Sequence, residues 1–142
     1  MKPVLRLFIT GHKGFETLLF HEIRRILKNL EAKITRRYGG VELLGSIELA
    51  YRICLHSRLA NRVFSELKTF RVENDDQLYQ SVSGIDWSEH FSARNSLAVS
   101  ATLSRSHLDH SHYASLRVKD AIVDQFRERF DSRPVVDKKH PD

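Results

Sequence analysis

The chain has 142 residues, 41% hydrophobic and 29% charged, the profile of a soluble globular protein with room for one good core or two small ones. Its net charge of +5 hides a split: residues 1–71 carry 14 Lys/Arg against 6 Asp/Glu, a net of +8, whereas residues 72–142 carry 9 against 12, a net of −3. No run approaches the roughly 18 apolar residues of a membrane span, and the apolar start is short and broken by Arg6, so a first strand and a cytoplasmic location are expected.

In the first half Val4–Thr10 alternates as a strand, Gly11-His-Lys-Gly14 turns, and Phe15, Leu18, Leu19, Ile23, Ile26, Leu27 and Leu30 recur at helical spacing. Ala32–Tyr38 and Val41–Leu44 read as short strands around a Gly39-Gly40 hairpin turn. Ile47, Leu49, Ala50, Ile53, Cys54 and Leu55 suit a second helix capped by Ser46, and Arg62–Arg71 suits a fourth strand. The lone cysteine, Cys54, can form no internal disulfide and is expected as a buried small hydrophobe. The order βαββαβ over residues 1–71 is a ferredoxin-like α+β sandwich, an arrangement that hosts many unrelated activities.

In the second half the Glu73-Asn-Asp-Asp cluster caps a short helix through Leu78, Tyr79 and Val82, ended by Gly84. Asp86-Trp87-Ser88-Glu89 begins a short turn toward Phe91, Ser96–Leu103 alternates like a strand, and Ser104–Ser111 is polar and loop-like. A long amphipathic helix follows from Tyr113. Leu116, Lys119, Val123, Phe126 and Phe130 share one stripe, with Arg117, Asp120, Asp124, Arg127 and Glu128 opposite. Lys119 thus stands where a leucine would pack, and is expected to be partly buried and paired with a carboxylate, Asp86 being the candidate, or with backbone carbonyls, or else to reach a binding rim through its aliphatic stem. Asp131-Ser-Arg-Pro134 stops the helix, and no further strand is expected to cover its apolar surface.

A basic first module suggests that one half meets a polyanion. His21, Arg24, Arg25 and Lys28 gather on the polar side of the first helix, and Lys33, Arg36 and Arg37 follow in the next strand. Such charges can track phosphates without reading bases, or form a merely solvated face. Gly11-His-Lys-Gly14 lacks the glycine spacing of a dinucleotide fingerprint or P-loop; it is a strand-to-helix turn, or a helix start at which Lys13 touches a phosphate. His107-Leu-Asp-His110-Ser-His112 has the donor types of a zinc site but reads as a solvated loop, so no metal is expected. No nucleophile elbow supports a hydrolase.

The strings Ser57-Arg-Leu-Ala-Asn-Arg62, Ile85-Asp-Trp87-Ser-Glu-His-Phe91, Tyr113-Ala-Ser-Leu-Arg-Val-Lys119-Asp-Ala-Ile-Val-Asp124 and Arg133-Pro-Val-Val-Asp137 resemble the N-terminal part of the bacterial RlmL/RlmKL proteins. These are THUMP-containing, S-adenosylmethionine-dependent methyltransferases of a guanine N2 in 23S ribosomal RNA. The resemblance covers nearly the whole chain. It implies a ferredoxin-like domain over 1–71 and, over 72–142, an incomplete THUMP α/β module that senses RNA shape, with Arg117, Lys119, Arg133, Lys138 and Lys139 as its candidate contacts.

Neither the glycine-rich cofactor turn nor the polar-Pro-Pro-aromatic loop of such methyltransferases is present, so S-adenosylmethionine is implied for the longer parent and no cofactor for this chain. The chain is expected to place 23S ribosomal RNA and to perform no chemistry itself. Two other readings are an interaction module with an incidental basic face and an acylphosphatase-like enzyme, for whose arginine-bearing loop His12-Lys13 is a poor substitute. The ending at Asp142 leads to the expectation of an open side on the second module, covered in a homodimer or loosely ordered.

Overall fold

A computed structural model describes residues 4–28, 30–104, 108 and 110–142. Two compact units emerge, Met1–Thr69 and Phe70–Asp142, each with its own apolar cluster.

The first unit runs β1 (Leu5–Thr10), α1 (Glu16–Ile26), β2 (Lys33–Arg37), β3 (Gly40–Gly45), α2 (Ile47–His56) and β4 (Arg62–Ser65). The strands form one antiparallel sheet in the order β2-β3-β1-β4, the ferredoxin-like arrangement. Period-two alternation sends Leu7 and Ile9 of β1 to one face, beside Leu43 and Val41 of β3, where α1 (Leu19, Ile23) and α2 (Leu49, Ala50, Ile53) cover them. The alternate residues Phe8, Glu42, Thr35 and Phe64 lie in one row on the opposite face. The hairpin turn needs its glycines. Gly39 has φ +77, and a Cβ on Gly40 would sit 2.1 Å from the Ile9 carbonyl oxygen.

A carboxylate holds the segment after α2. Glu22 is only 8% exposed; it accepts from the Ser57 hydroxyl at 2.5 Å and from the amides of Arg58 at 3.0 Å and Leu59 at 3.2 Å. Burial pushes its pKa up, but the Ser57 hydroxyl, those amides and the nearby Arg25 outweigh burial and hold it below the usual carboxylate range.

The structure corrects several expectations for this unit. β4 spans only Arg62–Ser65, because the chain leaves the sheet after Glu66 donates its amide to the Arg6 carbonyl. Ser46 occupies the N-cap of α2, but its hydroxyl donates to Glu48 at 3.2 Å instead of capping the helix. Cys54 is exposed, since Leu49, Ala50 and Ile53 form the buried side of α2 and Cys54 lies about 100° past Ile53. Phe15, Leu18, Leu30 and Leu55 are likewise exposed, each helix burying one stripe and not its whole apolar set.

The second unit runs α3 (Asp75–Ser83), a 3-10 turn (Trp87–Glu89), β5 (Ser96–Leu97), α4 (Ser111–Phe130) and β6 (Val135–Val136). Asn74 caps α3 by accepting from the Gln77 amide at 2.9 Å, and Gly84 ends it. The core gathers Leu78, Val82, Leu97, Ala114, Ala121, Ile122 and Phe126, with Phe91 stacked on Phe126 at 5.1 Å between centroids. Gln125, 8% exposed, donates to the carbonyls of Ser83 and Ile85 and accepts from the Trp87 amide, tying the turn after α3 onto α4.

Here too the sequence expectations need correction. Ser96–Leu103 pairs only over two residues, and a further strand does follow the long helix: Val135 and Val136 pair in parallel with Ser96 and Leu97. Arg117 and Asp124, on the side of α4 opposite the apolar stripe, pack against α3, whereas Arg127 and Glu128 on that side are exposed. Tyr79 donates to Asp124 at 2.8 Å and Arg117 bridges to Asp76 at 3.2 Å, with small Ala114 and Ala121 in the same contact stripe. Phe130, expected in the buried stripe, is 54% exposed at the helix end. Among the described residues no helix is long and apolar enough to cross a membrane.

Candidate nucleic-acid interface

The basic residues of the first unit collect where α1 lies beside β2. Thr17, His21 and Arg24 follow one another three or four residues apart in a row on the helix surface, and Lys28 follows in the turn after α1, with Arg24, Lys28 and neighbouring Arg25 exposed. The guanidinium of Arg24 lies 5.8 Å from the Phe20 ring centroid. From β2, the Arg36 guanidinium reaches the Thr17 hydroxyl at 2.6 Å and joins the strand edge to the helix. Lys33 and Arg37 are exposed on β2, Arg37 in a loose pair with Glu42 at 3.4 Å. At the upper end Lys13, Gly14, Glu16, Thr17, Arg36, Arg37 and Tyr38 line an open cleft of about 590 Å³. The Lys13 ammonium stands 5.9 Å from the Tyr38 ring centroid, and Tyr38 is 82% exposed.

The start of α1 is occupied by the chain's own carboxylate. Glu16 accepts from the Gly39 amide at 3.2 Å, and its own amide, then those of Gly39 and Gly14, with Arg36 nearby, hold its pKa below the ordinary value against a smaller opposing effect of burial. Lys13 belongs to the side-chain cleft, and the Glu16 carboxylate already accepts from the hairpin at the start of α1. Sequence reasoning missed Thr17 and Tyr38. The hairpin turn next to Gly39 and the i, i+4 row containing His21 are the signals that place them.

The five candidates of the second unit separate. Arg117 is built into the contact between α3 and α4: its guanidinium lies 4.7 Å over the Tyr79 ring and pairs with Asp76. The Tyr79 hydroxyl, bonded to Asp124 and partly buried, is correspondingly harder to ionise than a free phenol. Lys119 is 29% exposed with its ammonium 2.6 Å from Asp120, so its carboxylate partner is the adjacent residue and not Asp86. Asp86 instead accepts from Ser88 and pairs with Arg129 at 2.8 Å, which together lower its pKa. Lys119 borders two hollows, one of about 290 Å³ shared with His112, Leu116, Val136 and Lys138, the other of about 270 Å³ shared with Val123, Arg133 and Pro134. The structure thus brings Lys119, Arg133 and Lys138 together around β6. Lys139 lies outside that group, in a turn where Asp137 accepts from its amide. Of the histidine-rich segment, His107 and Asp109 lie outside the described residues, and among the described residues no group of three metal-ligating side chains forms.

Comparison with known proteins agrees with both halves of this description. Residues 6–64 match the RlmL ferredoxin-like domain and residues 72–142 the THUMP domain. The chain belongs to the THUMP family, with an RlmL ferredoxin-like domain ahead of the THUMP domain. It is 50% identical over 142 residues to the ribosomal RNA large subunit methyltransferase K/L of Syntrophotalea carbinolica, and 44% identical over 143 residues to that of Pseudomonas aeruginosa. All of this chain is covered in both, but only 20% and 19% of those proteins, so the chain spans about one-fifth of the curated relatives it matches. Among solved structures, a possible methylase from Clostridium difficile 630 superposes with a TM-score of 0.80 at 19% identity, over 96% of this chain and 36% of that one. SMU.472 complexed with SAH gives 0.76 at 24% identity, over 99% and 36%. At these identities the likeness concerns the fold.

Proposed function

We propose that this chain is the RNA-placing portion of an S-adenosylmethionine-dependent methyltransferase acting on a guanine N2 of 23S ribosomal RNA. The observation that carries the reading is the exposed basic cluster of α1 and the turn after it, whose Arg24, Arg25 and Lys28 have no ion-pair partner among the described residues, in a chain with a THUMP domain. Exposed, unpaired cations on a helix and the turn that follows it neutralise backbone phosphates and release counterions, which gives affinity for a structured RNA through shape and charge. Lys119, Arg133 and Lys138 would add a second basic contact on the THUMP unit. The relatives named as ribosomal RNA methyltransferases supply the substrate class, and the SAH held by SMU.472 supports the cofactor. In this reading methyl transfer belongs to the larger part of the protein, and these residues hold the RNA.

Titration of a labelled rRNA hairpin tests it. Affinity should fall by about 10- to 100-fold between about 50 and about 200 mM salt, and should drop when Arg24, Arg25 and Lys28 are changed to Glu. Absence of binding at low salt, or indifference to the charge reversal, rejects the reading. Calorimetry with S-adenosylmethionine should give no saturable heat for this chain; a single-site isotherm would place cofactor chemistry here.

A further inference from the structure

We propose that the helix-free face of the first unit's sheet is a stacking platform for unpaired bases of single-stranded RNA. The inference rests on the RNA reading above and extends it to the opposite face of the sheet, which shares only Arg37 with the cleft. Because Leu7 and Ile9 point into the core, Phe8 between them faces away from the helices, and its cross-strand partner is Phe64 of β4. Phe64 is 47% exposed, unlike an aromatic ring that serves a core. The Phe8 ring lies over bare backbone at Gly40, where an added Cβ would come within 3.2 Å of its Cε1.

Cations flank the two rings at both ends of the strands. Arg6 and Lys33 sit at one end, each paired in register with Leu44. Arg62 and Arg37 sit at the other, in the row of Thr10 and Gly40. Strands rise about 3.4 Å per residue, so the two ends are about 14 Å apart, the reach of roughly two nucleotides of extended backbone. Lys33 and Arg62 have no ion pair among the described residues. Arg6 and Arg37 have only loose ones, at 3.5 Å to Glu66 and 3.4 Å to Glu42, with the arginine side chains more than half exposed. Four cations against two carboxylates, around two rings, fit a polyanion carrying flat bases. Glu42 in the ring row, loosely paired with Arg37, suits the same ligand, because a carboxylate there can accept from base amino groups.

An unstructured RNA octanucleotide carrying 2-aminopurine, titrated into the 142-residue chain, reads stacking as quenching, with a fully paired RNA duplex as the control. Phe64→Leu keeps apolar bulk but removes the ring, and should weaken octanucleotide binding by about 5- to 100-fold, while Phe64→Trp should bind at least as well as the unaltered chain. Both variants should hold the duplex at the original affinity and keep their circular dichroism. Unchanged octanucleotide affinity in Phe64→Leu, or binding without quenching, overturns the inference. So does altered self-association with RNA affinity intact, which would mark the face as a protein surface. A chain that binds duplex but no octanucleotide sinks this inference alone, whereas a chain that binds neither RNA rejects the function proposed above as well.

Discussion

In the first unit Arg24 and Arg25 project from α1, and Lys28 from the turn after it, without carboxylate partners among the described residues, while Glu22, on the same helix, turns inward to hold the backbone after α2. The second unit divides the work differently. There Arg117, Arg129 and Lys119 pair with Asp76, Asp86 and Asp120, and the inward clamp is the uncharged Gln125. Positive charge is thus mostly available to a ligand in one unit and mostly engaged in structure in the other, a distinction that net charge per segment conveys only in part. Each variant below probes one side of that contrast.

The largest effect is expected in the core of the second unit. Phe126 is 2% exposed and stacks on Phe91, so Phe126→Ala should cost about 3–5 kcal/mol, read in denaturant through the single tryptophan, Trp87, whose indole donates to the Val82 carbonyl. A loss below about 1 kcal/mol would mean that the two-sided packing of α4 is not what holds this unit.

The two clamps come next. Glu22→Gln and Gln125→Leu should each cost about 1–3 kcal/mol, through backbone groups left unsatisfied. Only the first should alter the acid response. The folded-state pKa of Glu22 lies below its unfolded value, so its contribution is complete above the unfolded carboxylate range and disappears as pH falls through the folded value. Protection of the Arg58 and Leu59 amides, taken as exchange relative to the intrinsic rate at each pH, should fall in acid for the natural chain and lose that dependence in Glu22→Gln. An acid response surviving that substitution would assign it to another group.

Smaller effects distinguish engaged from available cations. Arg117→Ala should destabilise by about 1 kcal/mol and leave the salt dependence of RNA binding unaltered, while Lys28→Ala should leave stability within about 0.5 kcal/mol and reduce the salt slope by about 1. Exchange of those two outcomes would invert the contrast. Lys119→Met is the finest probe: with the Lys119–Asp120 pair partly exposed, stability should change by less than about 1 kcal/mol, and a lower salt slope would show that the second unit also touches phosphate. No change in the slope would leave RNA contact to the first unit.

Much of this was legible in the residues. Alternation in Leu5–Thr10, the helical recurrence of Leu19 and Ile23, and the paired glycines after Tyr38 specify the first unit, because each local signal agrees with the tertiary arrangement. The second unit was read less well. Residues 98–103 alternate as a strand would, yet only Ser96 and Leu97 find a partner, and pairing is a property of two segments that one segment's pattern does not encode. Lys119 was expected to bond Asp86 because a stripe on a helix says which residues share a side, not which side chain from elsewhere arrives there. Arg129 reaches Asp86 first. The basic row of α1 could be seen in advance, but the seating of Arg36 on Thr17 and of Lys13 beside Tyr38 depends on how β2 lies against the helix.

Glu16 gives the first unit a latch with a selective consequence. Its carboxylate joins the start of α1 to the β2–β3 hairpin through the Gly39 amide, so a small free anion such as inorganic phosphate finds that corner taken and must displace a tethered competitor to enter. On the RNA reading proposed above, a long polyanion would need no such displacement, because it could engage several side chains along the row at once. If that reading holds, the protein should discriminate by valency, tolerating free monophosphate in its surroundings while capturing a nucleic-acid strand.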